Sequence, residues 1–122
     1  SYYNELLNRY CNSNLKTMKS KIAVGLTTCD KNSVAKEIVS RLLEGELIAS
    51  GQIEGPIASM FWWDDSIQEN KEWRVTVKFM LKHAKSIQSV VEAKSNYDTP
   101  QWVYWEVESS TDFSGWVRNP RN

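Results

Sequence analysis

The stretch from Ile57 to Phe79 constrains the fold more than any other. It reads as two strands, Ile57 to Trp63 and Glu72 to Phe79, joined by the polar run Asp64 to Lys71 as an antiparallel hairpin. In the second strand Trp73, Val75, Val77 and Phe79 share one face, and Arg74, Thr76 and Lys78 share the other. That alternation marks a half-buried strand. In the first strand Ile57, Phe61 and Trp63 lie on one face, while Met60 and Trp62 make the opposite face apolar too. A short chain has few helices with which to cover both, so the hairpin predicts an oligomer.

The remaining pattern fits one α+β domain over residues 21–122, preceded by a polar extension over residues 1–20. In the extension, Tyr3, Leu6, Leu7 and Tyr10 have the spacing of one short amphipathic helix. A strand is expected from Lys21 to Thr28, with Cys29 and Asp30 ending it and Asp30, Asn32 or Ser33 able to cap a helix over Ser33–Glu44. Gly45 stands where a left-handed helix stop belongs. Leu47 to Glu54 reads as a strand, Gly55-Pro56 as a break or bulge, and His83 to Lys94 as a second helix burying Ala84, Ile87, Val90 and Val91. After the loop Ser95 to Pro100 come a strand, Trp102 to Glu108, and a short helix carrying Phe113, Trp116 and Val117. The order βαββαβ is the ferredoxin-like arrangement, an antiparallel sheet with both helices on one face and the other face open.

Charge and composition exclude several roles. Fifteen basic and fifteen acidic residues cancel, which leaves no electrostatic footprint for nucleic acid or an anionic membrane. No apolar run approaches the roughly 20 residues of a membrane span, and the amino terminus lacks the basic start and apolar core of a secretory signal. Cys11 and Cys29 form neither a CxxC pair nor a disulfide framework, which suits a reducing, cytoplasmic compartment.

The ungapped order of several short marks resembles the CutA family, the divalent-cation tolerance proteins, over Lys21 to Val117. The marks are Thr27-Thr28, Ala35 to Leu43 followed by Glu46-Leu47-Ile48-Ala49, Ile53 with Pro56, Ser59-Met60-Phe61-Trp62-Trp63, then Ile67, Glu72, Lys78, Tyr97 and Pro100. The resemblance implies a homotrimer of PII-like architecture, with hairpins reaching neighbouring subunits and ligands in clefts between them. It also implies a link to copper or other divalent-metal tolerance. The chain departs from the family where metal chemistry would reside. Ser95-Asn96-Tyr97-Asp98 stands in place of a His-Pro-Tyr-Glu type of motif, Gln101 in place of an acidic residue, and Thr27 where some bacterial relatives carry cysteine.

Each chemical candidate has an ordinary structural reading beside it. Cys29, between strand and helix, invites a lowered pKa and a role as soft metal ligand or nucleophile, or serves as a small packing residue. His83, flanked by Lys82 and Lys85, reads as a solvated helix-end residue. Lys78 reaches a ligand or pairs with Asp98 or Glu106. Tyr97 and Asp98 are cleft residues or turn residues, and Trp63 with its neighbouring tryptophans packs subunits or stacks on a ring. Asp64, Asp65 and Glu69 form a solvated turn rather than a hard-cation site. The expected function is therefore binding and not catalysis. The expected site is an inter-subunit cleft with Lys78, Tyr97, Asp98 and Trp63, and Cys29 is the candidate ligand for copper or another divalent metal. The alternative is a PII-like trimer that binds a small signalling ligand and has no metal role.

Overall fold

The computed structural model describes residues 1–7, 9 and 20–122. Strand β1 (Lys21–Cys29) leads into helix α1 (Asn32–Glu44), and the long hairpin β2 (Ser50–Trp63) and β3 (Ser66–Phe79) follows. A 3-10 turn (Leu81–His83) runs into α2 (Ala84–Lys94), and β4 (Val103–Glu108) and α3 (Thr111–Arg118) complete the body. The sheet order is β2-β3-β1-β4 with every pair antiparallel. This is the expected ferredoxin-like topology.

Alternation decides which residues make the core. Register pairs Ala23 with Phe79, Gly25 with Val77 and Thr27 with Val75, and these positions are buried. Ile38 and Leu42 of α1 and Ile87 and Val91 of α2 join them in one apolar cluster. Removing such side chains from water, at about 25 cal/mol per Å², drives the collapse. Val24, Leu26 and Thr28 pair with Lys78, Thr76 and Arg74 on the opposite face, which the two long helices leave uncovered. At one end of the sheet Ile22 and Val117 are also buried but stand outside the main cluster, because α3 packs there against β1 and β3.

The hairpin is longer and tighter than its polarity suggested. Its connection is Asp64-Asp65 alone, with φ of 48° and 61°. Both residues are in the left-handed region that a two-residue type I′ turn requires. Ser66 to Lys71 belongs to β3 and pairs up to Ala58↔Lys71. The run lacks alternation because it is exposed on both faces. Gly55-Pro56 is a cis bond inside β2, at a register shift between Glu54↔Arg74 and Ile57↔Glu72. Three steps on β2 meet two on β3 there, which is one extra residue, a bulge.

Other boundaries move for local reasons. Residues Leu47 to Ala49 form a connection rather than the start of β2. Gly45 has φ of −78°, and the left-handed position falls on Glu46 at 58°. There the Leu47 amide donates to the Leu42 carbonyl at 2.9 Å. None of the expected residues caps α1, since Lys31 takes that position without a side-chain bond. Ser110 does cap α3, its Oγ accepting from the Phe113 amide at 3.4 Å. In the extension residues 2–7 are helical, with Tyr2, Tyr3, Leu6 and Leu7 exposed. Tyr10 and Cys11 lie outside the described residues.

Gly25 is required by close approach. A Cβ there would lie 2.2 Å from Trp102 Cη2 and 2.5 Å from Cζ3. Trp102 is itself stacked in a trio with Phe79 and Tyr104, at centroid distances of 5.7 and 5.6 Å. Gly25→Ala is expected to lower the stability in urea by about 1–3 kcal/mol through overpacking. An unchanged unfolding midpoint would mean that the trio is free to shift.

Candidate functional site

The place where β1 ends is also where the loop before β4 is fastened. The last β1–β3 rung is Cys29↔Trp73. One residue further along β3, Glu72 is only 6% exposed although it carries a carboxylate. The Tyr97 hydroxyl donates to Glu72 Oε2 at 2.7 Å. Asn96 Nδ2 donates to the Asp30 carboxylate, at 3.1 Å to one oxygen and 3.3 Å to the other. The Tyr97 amide donates to Ser95 Oγ at 3.1 Å. Three successive residues of the loop are thus bound, and Asn96 and Tyr97 reach two carboxylates far away in sequence.

Beside Glu72, on the open face, lies a hollow of about 520 Å³ whose lining includes Glu54, Arg74, Thr28, Ser59 and Gln101. Arg74 Nη1 donates to Glu54 Oε1 at 3.0 Å across the β2–β3 ladder. Paired charges, hydroxyls and an amide give this hollow hydrogen-bonding capacity for a small polar ligand, with Glu72, the partner of Tyr97, in its lining.

Cys29, opposite Trp73, lies at the same junction. The strand-to-helix position suggested a lowered pKa, but the thiol is 1% exposed. Burial pushes it up to about 11, and the carboxylates of Asp30 and Glu72 add to the shift. In the metal-free chain the group is a neutral, buried thiol at physiological pH and so a poor nucleophile; a metal held there would have to displace its proton. The Tyr97 phenol is likewise pushed well above its ordinary range, first by burial and then by its bond to Glu72. His83 is shifted down by burial and by Lys82, and so is neutral near pH 7.

The expected cleft residues do not meet within one chain. Lys78 lies six residues from Glu72 along β3, roughly 20 Å away. Its Nζ donates to Gln52 Oε1 at 2.6 Å, so its partner is a cross-strand amide and neither Asp98 nor Glu106. Trp63 lies opposite Ser66 at the far tip, roughly 20 Å from Glu72 in the other direction. Asp98 is exposed beside Tyr97. Among the described residues no group of three or more His, Cys, Asp and Glu side chains is placed to hold a metal ion. The described donors of a single chain therefore form no such cluster by themselves. Sequence reasoning passed over the Glu72 and Asp30 contacts, because their partners lie 25 and 66 residues away. The one available signal was an acidic residue opening an otherwise apolar, alternating strand.

Two outcomes follow from these contacts. Tyr97→Phe leaves a buried carboxylate without its donor, and is expected to cost about 1–3 kcal/mol in a denaturant titration; no loss would mean that solvent replaces the hydroxyl. Cys29 has a folded-state pKa above its ordinary 9.0, so the folded chain holds that proton more tightly than the unfolded chain. Its contribution is full below about pH 9 and is lost as pH rises through about 11. The unfolding midpoint is expected to fall over that window and to fall less in Cys29→Val, while rapid iodoacetamide labelling of the folded protein at pH 7, mapped to Cys29 rather than Cys11 by peptide mass, would contradict the buried, protonated thiol.

The sequence profile of the CutA1 divalent ion tolerance protein family matches residues 23–120. The divalent-cation tolerance protein CutA of Archaeoglobus fulgidus is 36% identical over 84 residues, 68% of this chain and 81% of the relative. The crystal structure of the divalent ion tolerance protein CutA1 from Ehrlichia chaffeensis superposes with a TM-score of 0.76 at 28% identity, covering 80% of this chain and 92% of that one. A structure of the Archaeoglobus fulgidus protein, there described as periplasmic, gives a TM-score of 0.75 at 28% identity over 80% and 95% of the two chains. With the strand order, the long hairpin and the profile match in agreement, this chain belongs to the CutA1 divalent ion tolerance family.

Proposed function

We propose that the protein is a non-catalytic homotrimer of the cytoplasm that acts in tolerance of copper or another divalent metal, binding its ligand in clefts between subunits. The observation that carries this reading is the two-stranded arm. Beyond Trp73 the hairpin has no third strand among the described residues, and seven residues of β2, Ile57 to Trp63, extend roughly 20 Å paired with β3. Along it Met60, Trp62, Trp63 and Ile67 are exposed at 67, 70, 50 and 60%. An isolated hairpin is at best marginally stable in water, and a ridge with three large aromatic or thioether side chains is an interface composition. Val103 and Trp105 expose further apolar area on the short edge strand β4.

In such a trimer the arm of one subunit brings Trp63 toward the Tyr97–Asp98 loop of the next, which unites residues that lie far apart in one chain. Lys78 and Asp98 are the charged members proposed for the cleft, and any metal site draws its donors from more than one subunit. Cytoplasmic placement rests on the reduced-cysteine reading. The structure adds that no helix among the described residues is long and apolar enough to cross a membrane.

A second reading, a trimer that binds a small signalling ligand and has no metal role, is favoured by the buried, protonated Cys29 and the lack of a donor cluster among the described residues of one chain. Sedimentation equilibrium is expected to give three times the chain mass, and Trp62→Glu to dissociate the assembly. A monomer at micromolar concentration would overturn the trimer. Calorimetric titration with copper and zinc is then expected to show saturable binding that survives in Cys29→Ser and disappears in Trp62→Glu. Absence of binding by an intact trimer would decide for the second reading.

A further inference from the structure

At the end of the sheet opposite the arm, a second cleft of about 950 Å³ opens between the connection before β2, the 3-10 turn and the segment that follows α3. Phe79 and Met80 form part of its floor, at least seven residues along β3 from Glu72 and so more than about 20 Å from the hollow described above. Its volume lies at the upper end of the range, about 300–1,000 Å³, in which small-molecule sites occur.

The walls combine two chemistries. Leu43, Leu81 and Trp116 line the cleft and remain 43, 42 and 42% exposed. They come from three separate elements, and large apolar side chains gathered in a concave surface mark a binding site more strongly than the same residues scattered singly. Around them stand four cationic side chains, Lys21, Lys82, Arg118 and Arg121, against two carboxylates, Glu46 and Glu106. Arg121 and Glu46 form an ion pair that ties the chain end to the left-handed residue after α1. The cleft therefore carries net positive charge on a chain whose formal net charge is zero. Lys21 and Lys82 have no carboxylate within ion-pair distance among the described residues.

We propose that this cleft is a binding site for a small organic anion with an apolar, ring-bearing body, the head held by Lys82 and Lys21 and the body lying against Trp116, Leu43 and Leu81. A lysine ammonium forms charge-assisted hydrogen bonds with carboxylate, sulfonate or phosphate oxygens. The indole offers a flat apolar face with a polar tip. Neither group of residues alone would select such a ligand: the cations would accept any anion, and the apolar wall any hydrophobe.

The test uses two dyes with the same ring body, 8-anilinonaphthalene-1-sulfonate and the uncharged N-phenyl-1-naphthylamine, titrated by fluorescence into the full chain in its native assembly. The sulfonate dye is expected to saturate at one per chain and to bind about tenfold more tightly than the neutral dye. Lys82→Glu is expected to abolish that preference, and Trp116→Ala to weaken both dyes. Lys82 is exposed, so its variant keeps the fold, as a matching circular dichroism melt would verify. Equal affinity for the two dyes, or sulfonate binding unchanged in Lys82→Glu, overturns the proposal. So does binding that is lost in Trp62→Glu but kept in Lys82→Glu, which assigns the dye to the arm. A changed assembly mass in Trp116→Ala would also overturn it, by making the same wall a contact between copies.

Discussion

Strand β1 has nine residues and each hairpin strand has fourteen, and this mismatch in length governs the rest of the molecule. Where all three strands run together, β3 is held on both edges and its apolar face is sealed by α1 and α2. Where β1 stops, β3 keeps only β2, and the core ends with it. The two regimes meet at Glu72 and Trp73. A carboxylate buried at that junction needs a donor, and Tyr97 supplies it from the loop that carries the chain into β4. The end of the core and the attachment of the loop are thus one hydrogen-bonded arrangement.

That arrangement also sets the chemistry of the site. Burial of Cys29, with two carboxylates beside it, keeps its thiol protonated. A strand-to-helix junction taken alone points the opposite way, because exposed amide dipoles stabilise a thiolate. Desolvation outweighs that influence here. The open hollow next to Glu72 offers hydrogen bonds and paired charges.

Much of the fold was legible in the sequence because it rests on periodicity. Alternation in Trp73 to Phe79 and helical spacing in Val34 to Leu43 are local records of burial, and both elements form where they were expected. The arm was only half legible. Ser66 to Lys71 carries no alternation, since both of its faces are exposed, and its strand character comes from pairing with Ile57 to Trp63 across an Asp-Asp turn. Gly45 shows a comparable limit: glycine permits a left-handed conformation without demanding one, and Glu46 takes it. Of the expected site residues, Tyr97 lies at a hydrogen-bonded junction, while Lys78 and Trp63 lie far from it on either side. Their separation could not be read from the residues, because it depends on strand length and register.

The bulge at Gly55-Pro56 gives the arm a handedness of its own. One surplus residue shifts the parity of everything beyond it, so Ile57, Phe61 and Trp63 continue the open side of the sheet while Met60 and Trp62 take the side of the helices. Loss of a single residue at that point would exchange the two sets along the whole outer half of β2, leaving composition and turn intact. The side of the arm that meets a neighbour is therefore encoded in a residue count, and a change in length there would rewrite the contact surface more thoroughly than any one substitution within it.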